Sequence, residues 1–276
     1  MGADRRQSWA LKEGDRIQCG DTVYIITSDP IGYGGSAVVY AARRTDTHLR
    51  YAIKECFPAG GDYRRQDGVI VPLDRSDSLS GRLLERFRRG AEMEQRTGQI
   101  IHNTSDRAVC IRELLHPQSI TFQSETYHVA DGSVFAVLDR MDLKSKSFDA
   151  ILEEIRDTCS PEELRLTRGL PGIHTTACLM EEILTALEQV HSARDPERPQ
   201  VSGYYFGDLH GGNIRFTGSR IHDGIVGTAH LIDFGSAREL DADGFTEPLL
   251  DENVFAAMGI RPPEMLSGSI FRLSRQ

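Results

Sequence analysis

The sequence has no run of about 18 consecutive apolar residues, so it offers no membrane segment. Its opening stretch, MGADRRQSWALKEGDR, lacks the apolar centre of a secretory signal peptide, and Arg6 stands where a myristoylation signal needs Ser or Thr. There is no C-x-x-C pair. The five cysteines (Cys19, Cys56, Cys110, Cys159 and Cys178) are odd in number and widely spaced, which favours reduced thiols and a cytoplasmic location over disulfides or a zinc site. Basic excess is missing too: 32 Lys and Arg stand against 41 Asp and Glu, a net charge of -9. A phosphate backbone demands a basic surface, so no nucleic acid is expected as a partner, while a small anionic ligand needs only local positive groups. No internal repeat or low-complexity tract occurs. What remains is a chain of 276 residues, 39% hydrophobic, able to bury a core as one large domain or two lobes.

Residues 1–15 are polar and are expected to form a flexible N-terminus. Val23 to Ile26 is a β-rich run leading into Ile31-Gly32-Tyr33-Gly34-Gly35-Ser36-Ala37-Val38-Val39-Tyr40. A strand, a glycine-rich turn and a second strand let backbone amides approach phosphate oxygens closely. Arg50 to Glu55 reads as a third strand, whose alternation puts Ala52 and Lys54 on one face and Tyr51 and Ile53 on the other. Residues 56–81 are a polar insertion with a hairpin signal at Asp67-Gly68. Leu83, Leu84, Phe87 and Ala91 predict an amphipathic helix to about Thr97. Val109 to Leu114 and Val134 to Leu138 complete a five-stranded antiparallel sheet. Helices are then expected over Phe148 to about Cys159, over Ser160 to about Arg168, and over Thr176 to His191. The last carries an apolar stripe of Leu179, Ile183, Leu184, Leu187 and Val190, with His191 suited to its C-terminal end.

The stretch Phe206-Gly207-Asp208-Leu209-His210-Gly211-Gly212-Asn213-Ile214, followed after a hydrophobic strand by Asp233-Phe234-Gly235, makes a compact oxygen-rich set. Asp208 can accept a proton from a hydroxyl nucleophile, and Asn213 and Asp233 offer hard oxygen ligands for magnesium. With Ala52-Ile53-Lys54 and the glycine-rich turn upstream, and Pro263-Glu264 downstream, the order resembles the protein kinase superfamily, most closely the bacterial eukaryotic-like Ser/Thr protein kinases.

The resemblance covers about residues 20–266 and implies an α+β, bilobal protein-kinase-like fold. Residues 16–141 would be the N-lobe, a five-stranded antiparallel sheet plus one helix with the insertion at 56–81. Residues 142–276 would be a mainly helical, incomplete C-lobe, because the chain stops soon after Glu264. It implies ATP and Mg2+ as cofactors and a protein substrate carrying Ser or Thr hydroxyls. Gly32, Gly34, Gly35 and Val39 would cover the nucleotide, with Ala37 at the third glycine position. Ala52 would lie beside adenine and Lys54 would orient the α/β-phosphates, paired with Glu94, or failing that Glu92 or Glu85. Leu138 would be the gatekeeper, and the backbones of Asp139 and Met141 would bond the adenine edge. Asp208 would position the acceptor hydroxyl, His210 would stand where the family's lysine contacts the γ-phosphate, and Asn213 and Asp233 would hold the metal.

Four departures qualify this. Gly207 replaces the loop arginine, so phosphorylation of the activation segment has no cation there to pair with, although Thr246 is a candidate phosphosite. His210 replaces the loop lysine, making that contact weaker or pH-dependent. Arg215 replaces the apolar floor under adenine. The early end would leave Glu264 unpaired and an apolar face exposed. Two alternatives follow: a pseudokinase-like nucleotide-binding module, and a small-molecule phosphotransferase, whose G-D-L-H-P-G-N string the loop approaches. The retained set of Lys54, Asp208, Asn213 and Asp233 favours an enzyme, and Asp233-Phe234-Gly235 with Pro263-Glu264 favours a protein substrate.

Overall fold

The computed structural model describes residues 4–59, 62–74, 78–129, 133–139, 145–158, 162 and 172–247. Met141, the helix expected from Ser160 apart from Glu162, and Pro263-Glu264 lie outside these described residues. The chain divides into two compact units, Met1–Gln95 with Ile111–Arg140, and Arg96–Cys110 with Met141–Gln276.

Unit one is built on β1 (Arg16–Cys19), β2 (Thr22–Ile26), β3 (Gly32–Tyr33), β4 (Ala37–Arg44) and β5 (Arg50–Cys56), then a hairpin of β6 (Tyr63–Gln66) and β7 (Val69–Pro72). Helix α1 (Ser78–Thr104) follows; it and the short β8 (Ala108–Val109) carry the chain into unit two. β9 (Ile111–Leu115), β10 (Ser119–Phe122), β11 (Glu125–His128) and β12 (Phe135–Asp139) return to unit one. The sheet order is β11-β10-β1-β2-β4-β5-β12-β9, with β3 on β4. The five expected strands are therefore contiguous, as β2-β4-β5-β12-β9, but the sheet is nine strands and not five. Among the extra strands β1 buries only Ile17 and the edge strand β11 buries nothing, while β10 buries Ile120 and Phe122 but is only four residues long.

Register gives the sheet two unlike faces. Val39 and Ala136 lie opposite Lys54, and Ala41 and Leu138 lie opposite Ala52, so these six share one face. Val38, Tyr40, Ile53, Phe135 and Val137 take the other, packed with Ile17, Tyr24 and Ile26 into one buried core. Each such side chain contributes roughly 1.5–3 kcal/mol on burial. The polar insertion is not a loose loop. Asp67 and Gly68 both adopt positive φ, 51° and 82°, as a two-residue hairpin turn requires. The N-terminus also departs from expectation: Ala10 and Leu11 are fully buried and Arg6 nearly so.

Unit two contains α2 (Phe148–Thr158) and α3 (Ile173–Ser192), plus six short strands: β8, β13 (Lys146–Ser147), β14 (Gly203–Tyr205), β15 (Ile214–Thr217), β16 (Thr228–Ile232) and β17 (Arg238–Leu240). Among the described residues α2, α3 and the end of α1 cover more of this unit than its short strands do. One sheet runs β13-β15-β16-β8, its last pair parallel, and β14 pairs with β17. Leu179, Ile183, Ala186 and Val190 form the buried stripe of α3. Leu184, assigned to that stripe from sequence, is 56% exposed, because the +4, +3, +4 spacing of the buried set turns it outward. Helix α1 is longer than expected and keeps Gly98 for a reason: a Cβ there would sit 3.0 Å from Cys110 Cβ, and the Cys110 thiol donates to the Gly98 carbonyl at 2.7 Å.

Candidate active site

In unit one the candidate residues gather on a single sheet face. The β5 alternation carries Lys54 out of the core face and toward α1, where its Nζ lies 3.4 Å from Glu94 Oε2. Both side chains are over nine-tenths buried, whereas Glu92 and Glu85 are exposed. Nζ also stands 6.0 Å from the centre of the Phe87 ring, two turns before Glu94 on α1. A buried ammonium needs such anionic and aromatic company, since desolvation alone would strip its proton. Ala52 and Leu138 are cross-strand neighbours on the same face, both half-buried. The Asp139 backbone continues β12 opposite Tyr51.

The glycine-rich turn joins β3 to β4, with Gly32 paired to Val39. The carbonyls of Gly34, Gly35, Ser36 and Ala37 all accept hydrogen bonds, from Arg6, Ala59, Phe57 and the Gly34 amide. Among the described residues the amides of Gly35 and Ser36 make none, and both residues are exposed. Donors facing outward and acceptors tied down is the polarity an anion requires.

In unit two the loop from Phe206 to Asn213 is shaped by close backbone approaches. A Cβ on Gly207 would lie 2.4 Å from the Ser236 carbonyl oxygen, and one on Gly211 would lie 2.6 Å from Asp149 Oδ1. No side chain fits at Gly207, which accounts sterically for the missing loop arginine. Phe206 and Phe234 meet edge to face, ring centres 5.2 Å apart, joining this loop to Asp233-Phe234-Gly235. The sequence shows both residues within their motifs but not the contact between them.

Asn213 Nδ2 donates to the Asp208 carbonyl at 2.9 Å and to Asp208 Oδ2 at 3.3 Å. With the amide nitrogen so engaged, Oδ1 is the remaining polar atom of the Asn213 side chain. Ile214 pairs with Leu231 in the β15–β16 hairpin, so Asn213 and Asp233 arrive at the same end of it. Asp233 adopts φ 67°, an unusual state for a residue with a side chain, and its carboxylate accepts from the Gly235 amide. His210 Nδ1 accepts from the Gly212 amide at 3.1 Å, so the ring proton sits on Nε2, 3.6 Å from Asp208 Oδ2. Arg215 donates to the Ser145 carbonyl at 2.7 Å and its Oγ at 3.1 Å, and burial lowers the pKa of its guanidinium.

Asp208, Asn213 and Asp233 are hard oxygen donors of the kind magnesium takes. Among the described residues no three His, Cys, Asp or Glu side chains converge into a ready-made cation cage. Thr246 is fully buried, which removes it as an accessible phosphosite in this conformation.

Solved structures share this fold. The apo form of PpkA-294 superposes with a TM-score of 0.51 at 18% identity, over 82% of this chain and 62% of that one. The kinase domain of BubR1 does so with a TM-score of 0.50 at 12% identity, over 95% of this chain and 60% of that one. This chain therefore spans about three fifths of the length of each. No family model and no curated protein matches the sequence. The likeness is one of fold: the chain is folded like a protein kinase.

Proposed function

We propose that the chain is an ATP- and magnesium-dependent protein kinase that transfers the γ-phosphoryl group to Ser or Thr hydroxyls of a protein. The observation that carries this reading is the locking of Asn213 onto Asp208, with Asp233 at the same end of the hairpin. In this reading Asp208 accepts the acceptor hydroxyl's proton as that oxygen bonds to phosphorus and the bridge to the leaving ADP breaks. Lys54, held by Glu94, orients the α/β-phosphates, and the amides of Gly35 and Ser36 take phosphate oxygens. Asn213 Oδ1 and Asp233 would hold magnesium, which would supply positive charge to offset that developing on the transferred group. His210, turned toward Asp208, keeps that carboxylate oriented. Ala52, Leu138 and the backbone of Asp139 would flank the base; Met141, outside the described residues, completes that expectation.

A second reading, a small-molecule phosphotransferase, is favoured by Gly207, where contact with Ser236 forbids the larger residue typical of protein kinases. The deciding experiment is transfer of labelled γ-phosphate from Mg-ATP by the purified chain to a generic protein substrate and to a panel of small alcohols, with autophosphorylation followed in parallel. Transfer to protein that disappears in Asp208→Ala and Asp233→Ala supports the kinase. Transfer to small alcohols alone moves the assignment to the second reading. Binding of Mg-ATP without any transfer makes the chain a nucleotide-binding module.

A further inference from the structure

Arg6 belongs to a segment that looks solvated in the sequence, yet only 6% of it is exposed. One edge of its guanidinium is locked on Asp4, with Nε to Oδ1 at 3.0 Å and Nη2 to Oδ2 at 2.7 Å. The other edge reaches the glycine-rich turn: Nη1 donates to the Gly34 carbonyl at 2.7 Å and to Phe57 at 2.7 Å, with Ala37 at 3.4 Å. These three carbonyls belong to the start of the turn, its end, and the chain just beyond β5. The Tyr33 ring lies 5.4 Å from the same guanidinium.

The segment is itself anchored. Trp9 and Ala10 amides donate to the Arg6 carbonyl, the Leu11 amide donates to the Tyr40 hydroxyl, and Arg65 Nε donates to the Trp9 carbonyl. Ala10 and Leu11 are fully buried. A turn reading Gly34-Gly35-Ser36 has high backbone entropy, and something must hold it if its amides are to stay aimed. Arg6 holds it only by carbonyls, which leaves the Gly35 and Ser36 amides free to face a ligand.

We infer that residues 4–11 are a rear brace of the glycine-rich turn, and that Arg6 is a positioning residue that sets its phosphate-binding shape. The phosphate part rests on the kinase reading above; the brace does not. The test compares wild type with Arg6→Gln, Arg6→Lys and Asp4→Asn by amide hydrogen exchange at Gly34, Phe57 and Ala59, and by Mg-ATP titration. In Arg6→Gln, exchange at these amides is expected to accelerate at least tenfold. The KM for ATP is expected to rise about tenfold with kcat within threefold, and Arg6→Lys to recover part of both. If Arg6→Gln does not fold, Asp4→Asn keeps the guanidinium and unlocks one edge, and smaller shifts in the same direction are expected. Exchange unchanged in a folded variant overturns the brace. Accelerated exchange with unchanged ATP affinity keeps the brace and overturns its role in phosphate binding. A wild type that binds no Mg-ATP overturns the kinase reading, and exchange alone then decides the brace.

Discussion

Replacing Arg65 with Met should unfold unit one more readily than almost any other single change. The Arg65 side chain is fully buried and that of Glu55 is 5% exposed. Nη1 and Nη2 donate to the two Glu55 oxygens at 2.8 and 2.7 Å, Nε donates to the Trp9 carbonyl at 2.9 Å, and Nη1 also reaches Gly68 at 2.8 Å. The Tyr40 hydroxyl completes the shell, donating to Glu55 Oε2 at 2.7 Å, and burial with the Glu55 charge beside it pushes that phenol well above its ordinary pKa. A methionine fills most of the volume but strands the carboxylate with Tyr40 as its remaining donor. Breaking one side of a buried pair costs about 3–5 kcal/mol, a large share of a domain's roughly 5–15 kcal/mol.

The assay is urea unfolding with linear extrapolation, on Arg65→Met, Glu55→Gln and the double variant. The double variant leaves neither member of the pair as an unpaired buried charge, and Tyr40 can still donate to the Gln oxygen, so it should recover more than half of the loss. A single-variant loss below about 1 kcal/mol would mean the pair is effectively solvated and the reasoning wrong. So would a double variant no better than Arg65→Met. Glu55 and Lys54 are successive residues of β5 on opposite faces. The hairpin at 63–72 thus secures the back of the strand whose front presents Lys54.

Glu94→Gln removes the anion beside Lys54, and at about 1.5–3 kcal/mol for a hydrogen bond to a charged group, phosphotransfer should fall roughly 10- to 150-fold, read as kcat/KM for ATP. Gly207→Ala forces a Cβ onto the Ser236 carbonyl and should destabilise by about 1–3 kcal/mol in thermal unfolding, with Phe206 displaced from Phe234 and transfer reduced. His230 is kept neutral mainly by burial, which lowers its pKa from the ordinary 6.5. Its native environment therefore contributes stability present above pH 6.5 that is lost as pH falls through the lowered value, and His230→Gln should flatten that limb of a stability–pH curve.

The motifs that carry chemistry were legible because they are local. Asp208 and Asn213 stand five residues apart and bond each other directly, and the strands β2, β4, β5, β9 and β12 advertise themselves by apolar runs. Glu94 could be singled out because helical spacing places it on the face marked by Phe87. Arg6 and Arg65 were not legible. A buried arginine is written with the same letter as a solvated one, and its partners come from elsewhere: Gly34 and Phe57 for the first, Glu55 and Trp9 for the second. Both sit in stretches so rich in charge that the bland reading was the natural one. The steric need for Gly207 was hidden likewise, since Ser236 is distant in sequence and acts through its backbone.

Arg215 is the residue on which sequence reasoning and geometry diverge most usefully. Placed where the kinase resemblance wants an apolar floor, its charge argues for weak nucleotide binding. The structure gives that charge a different address: Nη2 is engaged by both oxygens of Ser145, and Ser147 and His230 flank the residue across β13 and β16. If the position lies under the base as the kinase reading has it, a guanidinium satisfied in this way leaves the stem of methylenes to serve as the floor. Arg215→Leu should then change Mg-ATP affinity by no more than about threefold, less than 1 kcal/mol, while costing about 1.5–3 kcal/mol of stability through the lost charged hydrogen bonds. Titration calorimetry and urea unfolding on the same variant separate the two effects. A tenfold gain in affinity would show the cation to be an obstacle to the base, and a tenfold loss would show the guanidinium stacking on it; either result refutes the assignment of the charge to Ser145.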